Sequence, residues 1–170
     1  MTRPRIYLAG PTVFRRDAAA EGARLKALCE RHGLEGLFPG DIQPPTRSGF
    51  PAAFRITNQC LDMLRQCQAV VADLSPWRGP HVDDGTAFEL GFAHALGLPM
   101  FGYCSDMRPL VERIPALVDQ GGRRWDESGQ LVEDIGLPFN AMISGTLAMC
   151  HGTAAAAIQH AADDLAGRTP

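Results

Sequence analysis

The sequence lacks the features that identify several broad classes of protein. No run in its 170 residues approaches the roughly 20 consecutive apolar residues of a membrane-spanning helix, so we expect no membrane partner. Basic residues are not in excess, because 16 lysines and arginines are set against 19 aspartates and glutamates. A protein that binds nucleic acid needs a basic face, and the net charge of −3 therefore predicts no nucleic-acid partner.

The cysteines also lack the arrangements that carry chemistry. Their number is odd, their spacing is wide and no C-x-x-C pair occurs, so the sequence predicts neither a disulfide framework nor a zinc site. Each lies in an apolar run, in which a free thiol packs as a small apolar side chain: Cys29, Cys60, Cys67, Cys104 and Cys150. Free thiols are typical of reducing compartments, and residues 1–4 carry no secretory signal, so we expect a cytoplasmic protein.

What the sequence does contain is an alternation of short apolar runs with amphipathic segments. It predicts strands at residues 6–9, 37–38, 69–74, 100–104 and 146–150, and helices at 17–32, 52–66, 86–96 and 153–165. Residues 41–50 are predicted to form a loop. The region from 105 to 138 is irregular, with a short helix predicted near 107–117. Strands that alternate with helices are typical of an α/β fold built on a parallel sheet. No internal repeat or linker is visible, so residues 1–170 are expected to form a single domain.

Local signals add detail to three of these helices. Asp17 is a candidate N-cap and Gly33 a candidate C′ residue for helix 17–32, and Thr153 is a candidate N-cap for the last helix. Helix 52–66 is expected to bury one face, which is formed by Phe54, Cys60, Leu61 and Leu64.

The densest group of polar residues follows the third predicted strand. Ligands of a doubly wound sheet bind outside the carboxyl ends of its strands, so the site is expected near residues 7–14, in the loop after residue 73 and after residue 104. Four carboxylates lie within seventeen residues of that loop and the following helix: Asp73, Asp83, Asp84 and Glu89.

Two of these carboxylates are candidates for chemistry. Asp73 ends an otherwise apolar strand, where a carboxylate is tolerated only if it has a partner or a function. Glu89 is expected in the first turn of its helix, whose N-terminus favours the ionised carboxylate by about 0.5–1 kcal/mol. An ionised carboxylate beside a second one that shares a proton suits retaining glycosyl transfer. The alternative is that Glu89 only caps its helix and that Asp83 and Asp84 are solvated loop charges.

Four blocks of sequence carry a resemblance to a known family. They are Ile6-Tyr7-Leu8-Ala9-Gly10-Pro11 with Phe14, Asp73-Leu74-Ser75-Pro76-Trp77-Arg78-Gly79, Asp83-Asp84-Gly85-Thr86-Ala87-Phe88-Glu89-Leu90-Gly91, and Gly136-Leu137-Pro138-Phe139-Asn140-Ala141-Met142. In this order and near this spacing, they make the chain similar to the nucleoside 2-deoxyribosyltransferases from residue 6 to about residue 165. The central block is the specific one, whereas the first is shared with related N-glycosidases.

The resemblance implies a flavodoxin-like doubly wound sheet of five mainly parallel strands, in an enzyme that exchanges the base of a 2′-deoxynucleoside by double displacement. Glu89 matches the nucleophile that attacks C1′ and forms a covalent deoxyribosyl-enzyme, and Tyr7 matches the phenol that orients it. Asp73 matches the residue that contacts the base and handles its proton. Such chemistry needs an anion below the sugar and a proton donor near the base, and we expect no cofactor and no metal.

The rest of the binding pocket follows from the same resemblance. Asp83 matches a carboxylate that holds the sugar hydroxyls, and Phe14 and Trp77 are expected to flank the base, with Gly10 in the same pocket. The implied partners are 2′-deoxynucleosides and free purine or pyrimidine bases.

The last block implies a second copy of the chain. Asn140 and Met142 match residues that family members insert into the site of a neighbouring subunit, so we expect a homo-oligomer. Between them stands Ala141, where many relatives carry a bulkier leucine, and this departure leaves the preference for the acceptor base open.

Two histidines lie close to these blocks. His81 is expected to be a solvated loop residue. His94 lies five residues after Glu89, about 140° round the helix, and is expected to pack in the core or at an interface.

Three other functions compete with base exchange. A hydrolase of 2′-deoxynucleoside 5′-monophosphates needs a loop that binds the phosphate. The single glycine of residues 10–14 disfavours such a loop, but Arg15 and Arg16 follow closely, so this alternative stays open. A nucleotide sensor on the same fold has no need of Tyr7, Asp73 and Glu89 together. A flavin-binding electron carrier needs a first loop rich in Ser and Thr, which this chain lacks.

Overall fold

The computed structural model describes residues 3–43, 46 and 48–168. The strands along this part of the chain are β1 (Arg5–Ala9), β2 (Glu35–Leu37), β3 (Ala69–Asp73), β4 (Met100–Tyr103), β5 (Leu117–Val118), β6 (Arg124–Trp125) and β7 (Met149–His151). The α-helices are α1 (Ala18–Arg31), α2 (Phe50–Arg65), α3 (Asp84–Ala95), α4 (Leu110–Arg113), α5 (Ala141–Ser144) and α6 (Ala154–Gly167). Two 3₁₀ turns, Pro11–Phe14 and Pro39–Asp41, follow β1 and β2.

Five of the strands form one parallel sheet, in the order β2-β1-β3-β4-β7. In its register Tyr7 pairs with Val70, and Asp73 pairs with Tyr103. If β5 and β6, which pair only with each other, are left out of the numbering, this order is the 2-1-3-4-5 arrangement of the flavodoxin-like doubly wound sheets. The prediction of an α/β fold with five parallel strands flanked by helices is therefore confirmed.

The sheet is covered on both faces, which is why its strands read as continuous apolar runs. Ile6 and Leu8 of β1 belong to the cluster that includes residues of α1 and α6, whereas Tyr7 and Ala9 belong to the cluster with residues of α2 and α3. Each fully buried Ile or Leu side chain contributes about 1.5–3 kcal/mol to folding. The two layers hold β1 and β3 rigidly, and the site is built at the carboxyl ends of these two strands.

The ends of the helices agree only in part with the capping signals. Gly33 has a φ of 74° after α1, and the Thr153 side chain accepts a hydrogen bond from the Ala156 N–H at 3.3 Å, as the sequence predicts. Asp17 precedes α1, but its side chain makes no capping bond. Its two carboxylate oxygens instead accept two hydrogen bonds from the Arg15 guanidinium, each at 2.8 Å.

The predicted apolar face of α2 is wrong at its N-terminal end. Leu64 is completely buried and Cys60 and Leu61 are partly buried, but the Phe54 side chain is 72% exposed. The angle round the helix does not explain this, since Phe54 lies within about 20° of the partly buried Leu61 at ~3.6 residues per turn. Phe50 and Ile56 are exposed as well, so it is the N-terminal part of α2 that lacks a covering layer. The helix begins at Phe50, two residues earlier than predicted, directly after Gly49 with its φ of 72°.

The irregular region contains elements that no periodicity predicts. β5 and β6 form a small antiparallel hairpin, and the helix expected near residues 107–117 is confined to α4. Strand β2 begins and ends earlier than residues 37–38, whereas β7 begins three residues later than the predicted run 146–150 and ends one residue after it. Elements of two to four residues are too short to show a periodic pattern. Within the loop predicted at 41–50, the positions that lie outside the described residues are Pro44, Pro45 and Arg47.

None of the helices in the described part of the chain combines the length and the apolar character that a bilayer crossing requires.

Candidate active site

A cavity of about 390 Å³ lies beside the carboxyl ends of β1 and β2 and the first turns of α3. Asp73 and Trp77 are not among the described residues that line it. Its lining combines residues that follow β1 with residues of α2 and of the start of α3: Gly10, Phe14, Cys60, Asp83 and Glu89. Apolar side chains from the segment between β2 and the middle of α2, among them Ile42 and Ile56, complete the wall. The cavity thus lies at the carboxyl ends of parallel strands, where ligands of this type of sheet bind.

Tyr7 and Glu89 form the closest polar contact at this cavity. The Tyr7 hydroxyl donates a hydrogen bond to Glu89 Oε1 at 2.5 Å. Tyr7 is fully buried in the sheet, and both burial and the neighbouring Glu89 charge raise the pKa of its phenol. The phenol therefore keeps its proton at neutral pH and acts on Glu89 only as a hydrogen-bond donor.

The Glu89 carboxyl is tuned to titrate near neutral pH. Its burial raises its pKa to about 7, and the charge of Asp83 adds to this effect. The hydrogen bond that the Tyr7 hydroxyl donates lowers the pKa of Glu89, and so does the Cys60 thiol. A carboxylate that is partly desolvated yet held by donors combines nucleophilicity with a fixed direction, and both serve covalent catalysis.

The position of Glu89 on its helix differs from the prediction. The Asp83 carboxylate accepts hydrogen bonds from the Thr86 N–H at 2.9 Å and from the Thr86 hydroxyl at 3.0 Å, and so caps α3. The helix consequently begins at Asp84, and Glu89 is its sixth residue rather than part of the first turn. The effect of the helix N-terminus fades beyond the first turn, and burial dominates instead. Asp83, not Glu89, is therefore the capping residue.

Gly10, directly after β1, lies in close contact with Asp73 at the end of β3. Gly10 has a φ of 143°, and a Cβ atom at this position would lie 2.6 Å from the Asp73 Cβ. Asp73 Oδ1 accepts a hydrogen bond from the Ser75 N–H at 3.0 Å, which turns the chain away from β3. A side chain at position 10 would thus displace the carboxylate that ends the strand.

Phe14 and Trp77 contact each other directly. Their ring centroids are 5.3 Å apart at an interplanar angle of 23°, and the Arg78 guanidinium lies 5.0 Å from the centre of the Trp77 ring. The pair borders a second cavity of about 370 Å³, which shares Phe14 and Asp83 with the first. Because the two rings stack on each other, they form a single aromatic wall rather than the two sides of a slot.

Asn140 and Met142 are not among the described residues that line the Glu89 cavity. Asn140 caps α5, where its Oδ1 accepts a hydrogen bond from the Ile143 N–H at 3.1 Å, and Met142 is 76% exposed. The backbone N–H of Ala141 donates to Glu133 Oε2 at 2.9 Å, which fixes the start of this short helix. The structure thus presents both side chains on the surface of the chain.

The two histidines near the site are exposed. For His81 this agrees with a solvated loop residue. For His94 a place in the core is wrong because its side chain is exposed, and a place at an interface stays a prediction.

Sequence patterns gave no indication that Cys60 belongs to the site. Residues 52–66 read as an amphipathic helix, and a cysteine within it is expected to pack as an apolar side chain. Which face of α2 meets α3, and at what height, depends on the packing of the two helices against the sheet. Only the tertiary structure therefore brings the thiol to the Glu89 cavity.

A larger cavity, about 680 Å³, lies at the opposite, amino-terminal ends of the strands. Its side chains are occupied with one another, for example in the Arg5–Glu35 ion pair at 2.9 Å. It is thus remote from the carboxylates described above. Across the described residues, no three His, Cys, Asp or Glu side chains are grouped so that they could hold a metal ion.

Comparison with known proteins shows what the chain is similar to. A sequence model of the family described as nucleoside 2-deoxyribosyltransferase matches residues 6–142. The uncharacterized protein C191.05c of Schizosaccharomyces pombe is 30% identical over 97% of this chain and 90% of its own length. The 2-desoxiribosyltransferase from Leishmania mexicana aligns with a TM-score of 0.76 and 36% identity, over 94% of this chain and 97% of that one. The CMP N-glycosidase of Clostridium botulinum, at a TM-score of 0.50 and 15% identity over 94% of this chain and 98% of that one, shares the fold alone.

Proposed function

Because the chain belongs to the nucleoside 2-deoxyribosyltransferase family, we propose that it exchanges the base of 2′-deoxynucleosides by double displacement. The observation that carries this proposal is the Tyr7–Glu89 hydrogen bond of 2.5 Å beside the 390 Å³ cavity. It joins a permanent donor to a carboxylate whose pKa is about 7, at the place where this fold binds ligands.

In the first half-reaction, an oxygen of ionised Glu89 attacks C1′ of the sugar. A C1′–O bond forms while the C1′–N bond to the base breaks, and the departing nitrogen takes the electron pair and a proton from Asp73. In the second half-reaction, a nitrogen of the incoming base attacks C1′, Glu89 leaves as a carboxylate, and Asp73 regains a proton from that base. Two inversions at C1′ retain the configuration of the nucleoside.

The remaining pocket residues bind and orient the substrate. Asp83 lines the cavity and is 8% exposed, so its carboxylate is suited to hold a sugar hydroxyl while it caps α3. The wall formed by Phe14 and Trp77 gives the base an aromatic surface on which to stack. A 2-deoxy sugar suits this chemistry because no 2′-hydroxyl withdraws electrons from the cation-like transition state.

We also propose that a second copy of the chain completes the pocket. Asn140 and Met142 are exposed on α5 and match residues that family members donate to a neighbouring site. A self-complementary dimer would let each chain supply its α5 to the other. The proposed functional unit is a homo-oligomer whose subunits each consist of one domain, residues 1–170.

Base exchange in a defined mixture tests the function. The protein is incubated with 2′-deoxyinosine and adenine, and 2′-deoxyadenosine is followed by chromatography. We expect Glu89→Ala to abolish the exchange, whereas Glu30→Ala, which removes an exposed carboxylate at the other end of the sheet, leaves it unchanged. With the donor alone, the intact mass of the wild-type protein should increase by one deoxyribosyl group.

Two other outcomes would contradict the proposal. Release of free base only from a 2′-deoxynucleoside 5′-monophosphate, without exchange, would identify a hydrolase. That outcome is disfavoured because the Arg15 guanidinium, a candidate phosphate ligand, is already held by Asp17. Absence of turnover on both substrates would favour a sensor of nucleotides.

A further inference from the structure

Ser75 connects the end of β3 to the loop that follows β4. Its backbone N–H donates a hydrogen bond to Asp73 Oδ1 at 3.0 Å, and its hydroxyl oxygen accepts one from the Ser105 N–H at 3.2 Å. Ser75 is partly buried, whereas Ser105 is exposed. The reaction steps proposed for Glu89 and Asp73 make no use of the Ser75 hydroxyl.

The backbone at Ser75 is fixed by its neighbours. The Leu74 N–H donates to the Tyr103 carbonyl at 2.8 Å and continues the ladder between β3 and β4 beyond the end of β3. The parallel register then makes the Ser105 N–H the next donor from the side of β4, and the Ser75 hydroxyl accepts it in place of a backbone carbonyl. Pro76 follows and disfavours helical conformations at Ser75. The Ser75 N–H is therefore held in one direction, toward Asp73.

The two carboxyl oxygens of Asp73 have different surroundings. Oδ1 accepts the hydrogen bond from the Ser75 N–H, whereas the described residues supply no hydrogen bond to Oδ2. Gly10 contacts Asp73 on the side of β1 and also lines the candidate active-site cavity, so the carboxyl lies next to that cavity. In a carboxylic acid, an oxygen that accepts from an N–H is the carbonyl oxygen, and the proton lies on the other oxygen.

We propose that Ser75 is a positioning residue for Asp73: its hydroxyl, bound to the Ser105 N–H, holds the turn in which the Ser75 N–H binds Oδ1, and so leaves Oδ2 to give the proton to the departing base. This inference rests on the proposed function. When the C1′–N bond breaks, the electron pair goes to the base, the proton passes from Oδ2 to the base, and Asp73 becomes a carboxylate. Because a hydrogen bond to a carboxylate is stronger than one to a neutral acid, the Ser75 N–H favours this transfer.

The first test compares two donors that differ in whether the leaving base needs a proton. Hypoxanthine takes up a proton as it leaves 2′-deoxyinosine, whereas the base of 7-methyl-2′-deoxyguanosine is already a cation and leaves as a neutral molecule. Base release is measured in single turnovers, with the protein in excess and no acceptor base, and spontaneous release is subtracted. We expect Ser75→Ala to slow release from 2′-deoxyinosine by about threefold to tenfold and release from the 7-methyl donor by less than about twofold.

Two further variants serve as controls. Ser75→Thr keeps the hydroxyl and should restore the wild-type ratio between the two donors. Thr153→Ala removes a hydroxyl that likewise accepts from a backbone N–H, that of Ala156 at 3.3 Å, at the start of α6. Because this cap lies outside the turn that holds Asp73, its loss should lower stability and leave the ratio between the two donors unchanged.

The second test needs no turnover. Hydrogen exchange of single amides, followed by NMR, measures the protection of the Ser105 N–H. Ser75→Ala should accelerate this exchange by about threefold to tenfold because the acceptor is removed, whereas Ser75→Thr should leave it unchanged. The Leu74 N–H, bound to the Tyr103 carbonyl, is the internal reference and should exchange at the same rate in all three proteins.

The outcomes separate the inference from the function on which it rests. If Ser75→Ala slows both donors equally, or neither of them, Ser75 does not direct the Asp73 proton and the inference is overturned. If the exchange of the Ser105 N–H is the same with and without the hydroxyl, the contact is absent and the inference is overturned as well. If the Ser105 N–H responds but the wild type releases base from neither donor, the contact exists and the proposed function is the part that fails.

Discussion

The Tyr7 hydroxyl and the Glu89 carboxylate meet at 2.5 Å although 82 residues separate them in the chain. Tyr7 comes from the middle of β1 and Glu89 from the second turn of α3, so the contact depends on how α3 packs on the sheet. The Tyr7 phenol cannot lose its proton at physiological pH, whereas the Glu89 carboxyl gains and loses its proton near pH 7. This pair therefore sets both the direction and the charge of the proposed nucleophile.

Removal of the phenolic hydroxyl should weaken catalysis without unfolding the protein. We expect Tyr7→Phe to lower kcat/KM at pH 7 by about 10- to 100-fold, the effect of losing a hydrogen bond to a charged group. Part of the loss should be recovered at pH 9, because the lost donor also held down the pKa of Glu89. A loss that stays constant from pH 6 to pH 9 would show that Tyr7 does not control the ionisation of Glu89.

The exchange reaction should have an acid limb close to pH 7. Glu89 must be ionised to attack C1′, and its pKa is raised to about 7. The rate constant kcat/KM should therefore fall tenfold per pH unit below about pH 6 and level off above about pH 8. The measurement is a pH profile of initial rates with 2′-deoxyinosine and adenine. A profile that is flat down to pH 5 would contradict a nucleophile with this pKa.

Glu89 should reduce the stability of the folded protein at alkaline pH. Its pKa rises from 4.5 to about 7 on folding, so the folded state binds this proton more tightly than the unfolded state. The resulting penalty is absent below about pH 4.5, grows as the pH rises and is complete above about pH 7.

We therefore expect Glu89→Gln to stabilise the protein by about 1–3 kcal/mol at pH 8 and by much less at pH 5. Urea unfolding at the two pH values measures this difference. Equal stabilisation at both pH values would indicate that packing, rather than the buried charge, causes the effect.

The close approach of Gly10 to Asp73 should tolerate no side chain. A Cβ at position 10 would lie 2.6 Å from the Asp73 Cβ, at a φ of 143° that L residues rarely adopt. Gly10→Ala should cost about 1–3 kcal/mol of stability and lower exchange by displacing Asp73. Gly91→Ala is the matched control: its Cβ meets open space within α3, and we expect it to be stabilising by about 0.5–1 kcal/mol. Thermal unfolding of both variants measures the contrast.

Complementation between two inactive variants tests the proposed donation of Asn140. Asn140→Ser removes the amide but keeps a side-chain oxygen for the Ile143 N–H, so α5 retains its cap. We expect Asn140→Ser to reduce exchange strongly when it is expressed alone. Co-expressed with Glu89→Ala, it should restore about one quarter of the wild-type rate, since half of the dimers are mixed and one of their two sites is intact. Without recovery, each site is made by one chain.

The local signals predicted the elements that are long enough to be periodic. The apolar runs that contain Ile6 and Val71 gave the central strands, and the alternation with helices gave the parallel sheet. The same signals placed Asp73 at the end of β3 and Gly10 directly after β1, and the carboxyl ends of these neighbouring parallel strands meet at one edge. The helix face containing Phe54 was predicted wrongly, since amphipathicity does not reveal where the sheet ends.

Local patterns in the chain thus establish the order of strands and helices and the residue types at the edge of the sheet. Whether Glu89 belonged to the first turn depended on Asp83, whose capping bond to Thr86 sets where α3 begins. The pKa of Glu89 and the position of Cys60 in the wall of its cavity follow instead from tertiary packing. Periodicity is a property of neighbours in the chain, whereas desolvation and hydrogen bonding depend on which helices pack together over the sheet.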